Sequence, residues 1–123
     1  MANELTVTVS IASTKANATF NSGSKTGQLD LTGADYTDKT VSVTSAAGGE
    51  QLDFDDVTGT PAFIYIKNLD ATNFIEIARE TGFTNKYMQV EAGMPVVFSP
   101  DDATIWVRAD TADVNIHLIA VEA

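Results

Sequence analysis

Polar and apolar residues alternate along several short stretches of the chain. The clearest stretch is residues 5–11, where the odd positions are Leu, Val, Val and Ile and the even positions are Thr or Ser. Side chains of a β-strand point alternately to opposite faces, so this pattern predicts a strand with one apolar face. No window repeats its apolar residues with the 3.6-residue period of a helix, and the chain is therefore predicted to be all-β.

The alternation recurs along the rest of the chain, interrupted by turns rich in Gly, Pro, Asn, Asp and Ser. Further strands are predicted at residues 28–31, 40–44, 51–54, 62–68, 74–79, 87–90, 94–98, 105–109 and 114–121. About eight to ten short strands at spacings of roughly 8–12 residues are typical of a two-sheet sandwich or a barrel. A jelly roll is the favoured prediction, because eight strands in two sheets protect their edges well at this length. An immunoglobulin-like sandwich is the runner-up.

The length of 123 residues suits one domain, and we predict a single β-sandwich over residues 1–123. Residues 12–27 are rich in Ser, Thr, Asn, Gly and Lys, which predicts a flexible arm or a surface loop. The first residues lack the basic segment that opens a signal peptide, so synthesis in a cytoplasm is expected. No apolar stretch approaches the length of a membrane span, and no membrane association is predicted.

The formal net charge is −10, and the two halves of the chain share it equally. Residues 1–61 carry 3 basic and 8 acidic side chains, and residues 62–123 carry 4 and 9. Contacts with phosphate need clustered Lys and Arg, so nucleic acid is not a predicted partner.

The residues offer little catalytic chemistry. There is no cysteine and one histidine, His117, so triads built on histidine are poorly supported. Asp53 and Asp55 have the first spacing of a calcium loop, but no Gly or distal Glu follows at the required positions. We therefore predict a protein that is not an enzyme and has no cofactor or metal, and we leave open whether residues 53–56 bind a cation.

Several large side chains are predicted to lie on the outer faces of the sheets. In residues 62–68, Ile64 and Ile66 are natural core residues, which directs the residues between them outwards. The same argument applies to residues 74–79 and 105–109, unless the register is inverted or both faces are buried. Exposed aromatic and Arg side chains predict a surface covered by a partner. The predicted interface residues are Trp106 and Arg108 first, with Phe63, Tyr65 and Phe74 as candidate neighbours.

One run of sequence resembles a known family. Residues 63–77 read FIYIKNLDATNFIEI, similar to the FIKNLDATNYIEIG run of small virion proteins of tailed bacteriophages. In that family the run is followed by an AGE or AGMP turn, a strand ending in KA and Asp or Asn, and an apolar terminal strand. The corresponding segments here are residues 92–95, 108–111 and 114–121, so the resemblance covers about residues 60–123.

The resemblance implies a non-enzymatic structural protein of the virion, made in the cytoplasm of the bacterial host. The first choice is a capsid decoration, or cement, protein that stabilises neighbouring capsid subunits, with the major capsid protein as partner. A tail, neck or fibre-associated protein is the alternative within this class. A glycan-binding module, with Trp106 and Tyr65 stacking on sugars, is the alternative outside it. Because a closed assembly would bury the aromatic faces of a small disulfide-free sandwich, we also predict a homo-oligomer, with a trimer favoured.

Overall fold

The computed structural model describes residues 4–17 and 19–123, and it confirms the all-β prediction. Every regular element in the described residues is a β-strand. These residues contain no helix that is long and apolar enough to span a membrane. The chain divides into two compact units, one ending at Thr32 and the other running from Gly33 to Ala123. The sequence had predicted one domain over the whole length.

The described part of the first unit contains four strands that form two antiparallel pairs, and we call this unit the ribbon because each pair is two strands wide. Its strands are β1 Leu5–Val9, β2 Ala12–Ser13, β3 Phe20–Asn21 and β4 Lys25–Leu29. β1 pairs with β4, and β2 pairs with β3 closer to the tip. Residues 12–27, predicted to be an arm or loop, therefore contain two short strands and the beginning of a third.

The second unit is a sandwich of two four-stranded antiparallel sheets. Its strands are β5 Tyr36–Val43, β6 Glu50–Gln51, β7 Pro61–Asn68, β8 Ile75–Ala78, β9 Lys86–Val90, β10 Pro95–Phe98, β11 Trp106–Ala109 and β12 Val114–Glu122. One sheet has the order β10-β7-β12-β5 and the other β6-β11-β8-β9. Every connection crosses between the sheets except the β8–β9 hairpin. This is the strand order of a jelly roll, the favoured prediction.

The core lies between the two sheets and follows the predicted alternation. Applied to all of these strands, the alternation in the sequence predicts ten inward-facing residues, and eight of them are fully buried. Val96 and Phe98 are half-buried and pack against the same core. The predicted core residues are Ile64, Ile66, Ile75, Ile77, Val96, Phe98, Ile105, Val107, Ile116 and Leu118. The register of these strands was therefore predicted correctly.

The end of β12 is hydrogen-bonded to the connection between β6 and β7 and to the beginning of the second unit. Glu122 accepts hydrogen bonds at Oε1 from the Thr58 hydroxyl at 2.7 Å and the Thr58 amide at 3.0 Å. Its Oε2 accepts one from the Ala34 amide at 3.1 Å. A Cβ added at Gly33 would lie 2.3 Å from this oxygen, so the close approach requires glycine. These donors, the Thr58 hydroxyl first, lower the pKa of Glu122 to about 2.

The two units share the net charge unequally, although the two halves of the sequence share it equally. The ribbon, up to Thr32, has 2 basic and 2 acidic side chains, and the sandwich has 5 and 15. All of the net negative charge therefore lies on the sandwich, whereas the ribbon is neutral.

Candidate interaction surface

The outer face of the β10-β7-β12-β5 sheet carries two adjacent rows of apolar side chains. Strand pairing sets Tyr36, Val121 and Phe63 side by side in the first row. The second row runs from Ile119 through Tyr65 to Val97. Each position alternates with residues of the same strand that are buried in the core or pack against it, so all of these side chains point away from the core. We call the six residues Tyr36, Phe63, Tyr65, Val97, Ile119 and Val121 the aromatic face.

Two members of the aromatic face are openly exposed and the other four are half-buried. Tyr36 retains 71% of its accessible surface and Val97 retains 38%. Residues of this size are usually covered when they cluster on a soluble protein, so this face is a candidate binding surface.

A polar group borders the aromatic face and holds one of its rings. His117 Nε2 lies 2.6 Å from Asp38 Oδ1. The Tyr65 ring meets the His117 ring edge to face, with 5.3 Å between their centroids. A ring that is already fixed in place loses little side-chain entropy when a partner covers it.

The outer face of the other sheet carries Trp106 and Arg108, but Arg108 is used within the protein. Its Nε lies 2.9 Å from Glu76 Oε1, and its Nη1 donates to the Ala47 carbonyl oxygen at 2.8 Å. The guanidinium also stacks 4.3 Å from the centre of the Phe83 ring. Lys86, 2.5 Å from Glu76 Oε2, contributes most to a lowered pKa of Glu76, and Arg108 adds to it.

The five predicted interface residues therefore do not form one surface. Phe63 and Tyr65 lie on one side of the sandwich, and Trp106 and Arg108 lie on the other. Phe74 precedes β8 and is half-buried. β7 and β11 belong to different sheets, so Phe63 and Tyr65, the candidate neighbours of Trp106, lie on another side of the sandwich. The role of each residue in binding stays a prediction.

Sequence reasoning missed four members of the aromatic face. Ile119 and Val121 continue the outward parity of His117 in β12, and that alternation was readable from the sequence. Val97 alternates with Val96 and Phe98 in the same way. Tyr36 was missed because β5 begins four residues before the stretch that alternates most clearly.

The run that resembles the phage family, residues 63–77, spans most of β7, the turn that follows it and most of β8. Asn68, fully buried, donates from Nδ2 to the carbonyl oxygens of Asn73 at 2.8 Å and Val90 at 3.2 Å. Its Oδ1 accepts the Asp70 amide at 2.9 Å. The Asp70 carboxylate accepts the backbone amides of Asn73 at 2.6 Å and Thr72 at 3.0 Å, which lowers the pKa of Asp70. Asn68 and Asp70 of this motif therefore have a structural role. Their side chains hold the backbone where the chain crosses from one sheet to the other.

The acidic residues considered for calcium bind within the chain. Asp53 Oδ1 accepts the Asp55 amide at 2.9 Å, and Asp55 forms an ion pair with Lys39 at 3.0 Å. Among residues 4–17 and 19–123, no group of three His, Asp or Glu side chains is arranged to hold a metal ion.

The chain matches no protein-family description, no curated protein and no solved structure. These comparisons leave the resemblance to phage virion proteins as a prediction. Inference about function therefore rests on the geometry of the chain and on that resemblance.

Proposed function

We propose that the protein is a non-enzymatic structural subunit of a tailed-bacteriophage particle. Its role is capsid decoration: it lies across neighbouring subunits, the major capsid protein first among them, and stabilises them by adhesion. The observation that carries the proposal is the aromatic face, a set of six apolar side chains on the outer surface of a rigid sheet. The resemblance of residues 63–77 supplies the phage context.

The surface chemistry supports adhesion to protein. A few desolvated aromatic anchors supply most of the binding energy at protein interfaces, and charges at the rim supply little. Tyr36, Phe63 and Tyr65 are such anchors, and Asp38 and His117 border them. The sandwich carries three acidic side chains for each basic one, which disfavours contact with packaged DNA. A position on the outside of the shell or in the tail follows.

The proposal includes a homo-oligomer, with a trimer favoured. A small sandwich without disulfides gains stability when a closed, symmetric assembly covers its apolar surface.

Attachment to purified particles tests the function. We expect Tyr36→Ser combined with Val97→Ser to leave the melting temperature nearly unchanged, because both side chains are exposed, and to reduce particle occupancy at least about tenfold. The matched control is Leu69→Ser combined with Met94→Ser, which removes two exposed apolar side chains outside the aromatic face.

Equal occupancy of the two double variants would refute the aromatic face as the attachment surface. Absence of the wild-type protein from particles, together with melting that depends on an added glycan, would refute the virion role and favour the glycan-binding alternative.

A further inference from the structure

The ribbon is too small to account for its own stability. A lone two-stranded hairpin is marginally stable at best in water, and a third strand is needed for independent stability. The ribbon has one polar face, on which Thr8 Oγ1 and Thr26 Oγ1 lie 3.1 Å apart. Its other face carries Leu5, Val7, Val9 and Leu29, and Val9 and Leu29 each retain 44% of their surface. A ribbon of this kind requires a strand or a surface beside it.

The sandwich has an open strand edge that suits this need. β5 is the longest strand at an edge of either sheet, with eight residues and no Gly or Pro. The other edge strands are the two-residue β6, the five-residue β9, and the four-residue β10, which begins with Pro95. In the described part of the chain β5 pairs only with β12. Lys39, a residue type that often protects an edge, is held by Asp55 instead.

The pairing pattern identifies which backbone groups of β5 point away from β12. The Glu122 amide donates to the Asp35 carbonyl oxygen, so this pair is hydrogen-bonded. Hydrogen-bonded pairs alternate along an antiparallel ladder. Residues 37, 39, 41 and 43 therefore direct their N–H and C=O groups to β12, whereas residues 36, 38, 40 and 42 direct theirs to the open edge.

The ribbon carries no net charge that would oppose its approach to the acidic sandwich. Asp38 lies in β5 and Asp35 directly precedes it, and the sandwich holds the whole net charge of −10. The ribbon is neutral and has Lys25 at the start of β4 and Lys15 near the tip. Two sandwiches repel one another, whereas a ribbon approaches an acidic edge without that cost.

We propose that the ribbon is an exchange arm that adds, strand to strand, to the open edge of β5 in a second copy of this chain. The added strand gives the ribbon the third strand that it lacks, and it covers the edge of the sandwich. Each copy offers one ribbon and one edge, so the contact is heterologous, and a rotation that closes gives a ring such as a trimer. The inference concerns purified protein and is tested without particles, so its failure would be distinct from failure of the virion proposal.

Isotope-mixed cross-linking of the full chain tests the proposal. Equal amounts of ¹⁴N and ¹⁵N protein are unfolded, mixed, refolded together and treated with a carbodiimide, which joins amines to carboxylates at contact distance. We expect cross-links from Lys15 or Lys25 to Asp35 or Asp38 that include ¹⁴N–¹⁵N hybrid peptides. Links between peptides of a single isotope only would mean that the ribbon covers its own sandwich. Either that result or a constant mass of 13.1 kDa at high concentration would overturn the proposal.

A pair of substitutions at one position gives the second test. Thr40→Pro removes one N–H from the open edge, and every N–H that β5 donates to β12 remains. Edge strands tolerate proline at such a position. Thr40→Ala removes the same side chain and keeps the N–H. We expect Thr40→Ala to associate like the wild type, and Thr40→Pro to raise the midpoint concentration of association at least about tenfold. Equal association of the two variants, with both folded by circular dichroism, would overturn the proposal.

Discussion

Replacement of Asn68 by Ala is expected to destabilise the sandwich more than any surface substitution. Asn68 is fully buried, and its amide joins three backbone groups that belong to the β7–β8 crossing and to β9. Ala leaves the carbonyl oxygens of Asn73 and Val90 and the amide of Asp70 without this partner. It also leaves a small cavity, because Asn68 is fully buried and the atoms around it relax only partly when the side chain is removed.

The expected magnitude follows from the surroundings of the three partners. A buried polar group left without a hydrogen bond costs about 1–3 kcal/mol. Val90 is buried, so its carbonyl oxygen should incur most of that cost. Asp70 and Asn73 are half-buried, and water recovers part of their loss. We expect a total of about 2–4 kcal/mol of unfolding free energy, which corresponds to a fall in melting temperature of roughly 10 °C for a domain of this size.

Urea denaturation and calorimetry of Asn68→Ala and Asn68→Asp, beside one control variant, test this expectation. Asn115→Ala is the matched control, because Asn115 is exposed on β12 and should change stability by less than about 0.5 kcal/mol. Asn68→Asp keeps the volume and one acceptor oxygen but loses both amide donors, so it should be destabilised as well. An Asn68→Ala protein within about 0.5 kcal/mol of the wild type would refute the view that this amide organises the crossing.

Two further predictions concern a carboxylate and an indole. The pKa of Glu122 is about 2 in the folded chain and 4.5 ordinarily. The stabilisation from its ionised form is therefore present above pH 4.5 and is lost as the pH falls towards 2. Glu122→Gln should lower the melting temperature at about pH 6. It should also make the melting temperature fall less steeply between about pH 5 and 3. Parallel pH curves for the two proteins would contradict this. Trp106→Ala should leave the fold intact and, if Trp106 contacts a partner, weaken particle attachment by about 2 kcal/mol or more. Outright unfolding in calorimetry would show that Trp106 is core, and full occupancy would exclude it from the contact.

The sequence predicted the sandwich core well because one physical rule governs it. Strands buried on one face alternate with period two, and a slip of one residue would expose every apolar side chain. Ile64 with Ile66 and Ile116 with Leu118 are spaced by that rule, and all four are fully buried. Alternation within a strand therefore decided which side chains face inwards.

The arrangement of the candidate site was less predictable, because alternation contains no information about which strands are neighbours. Phe63 and Trp106 both face outwards, as predicted, but β7 and β11 belong to different sheets. The grouping of Tyr36 with Val121 and Phe63 depends on β12 lying between β5 and β7. These three strands are far apart in the sequence, and only the crossovers of the jelly roll bring them together.

The ribbon shows how a pattern can be read correctly and still mislead about organisation. Residues 5–11 alternate as clearly as any core strand, yet Val9 and Ile11 remain 44% and 63% exposed. The alternation specifies an apolar face but not the partner that covers it. The same holds for charge, since equal halves of −5 conceal a neutral ribbon and a sandwich with all of the net charge. A strand with an apolar face, in a unit without net charge, has the features expected of a segment that is completed by another molecule.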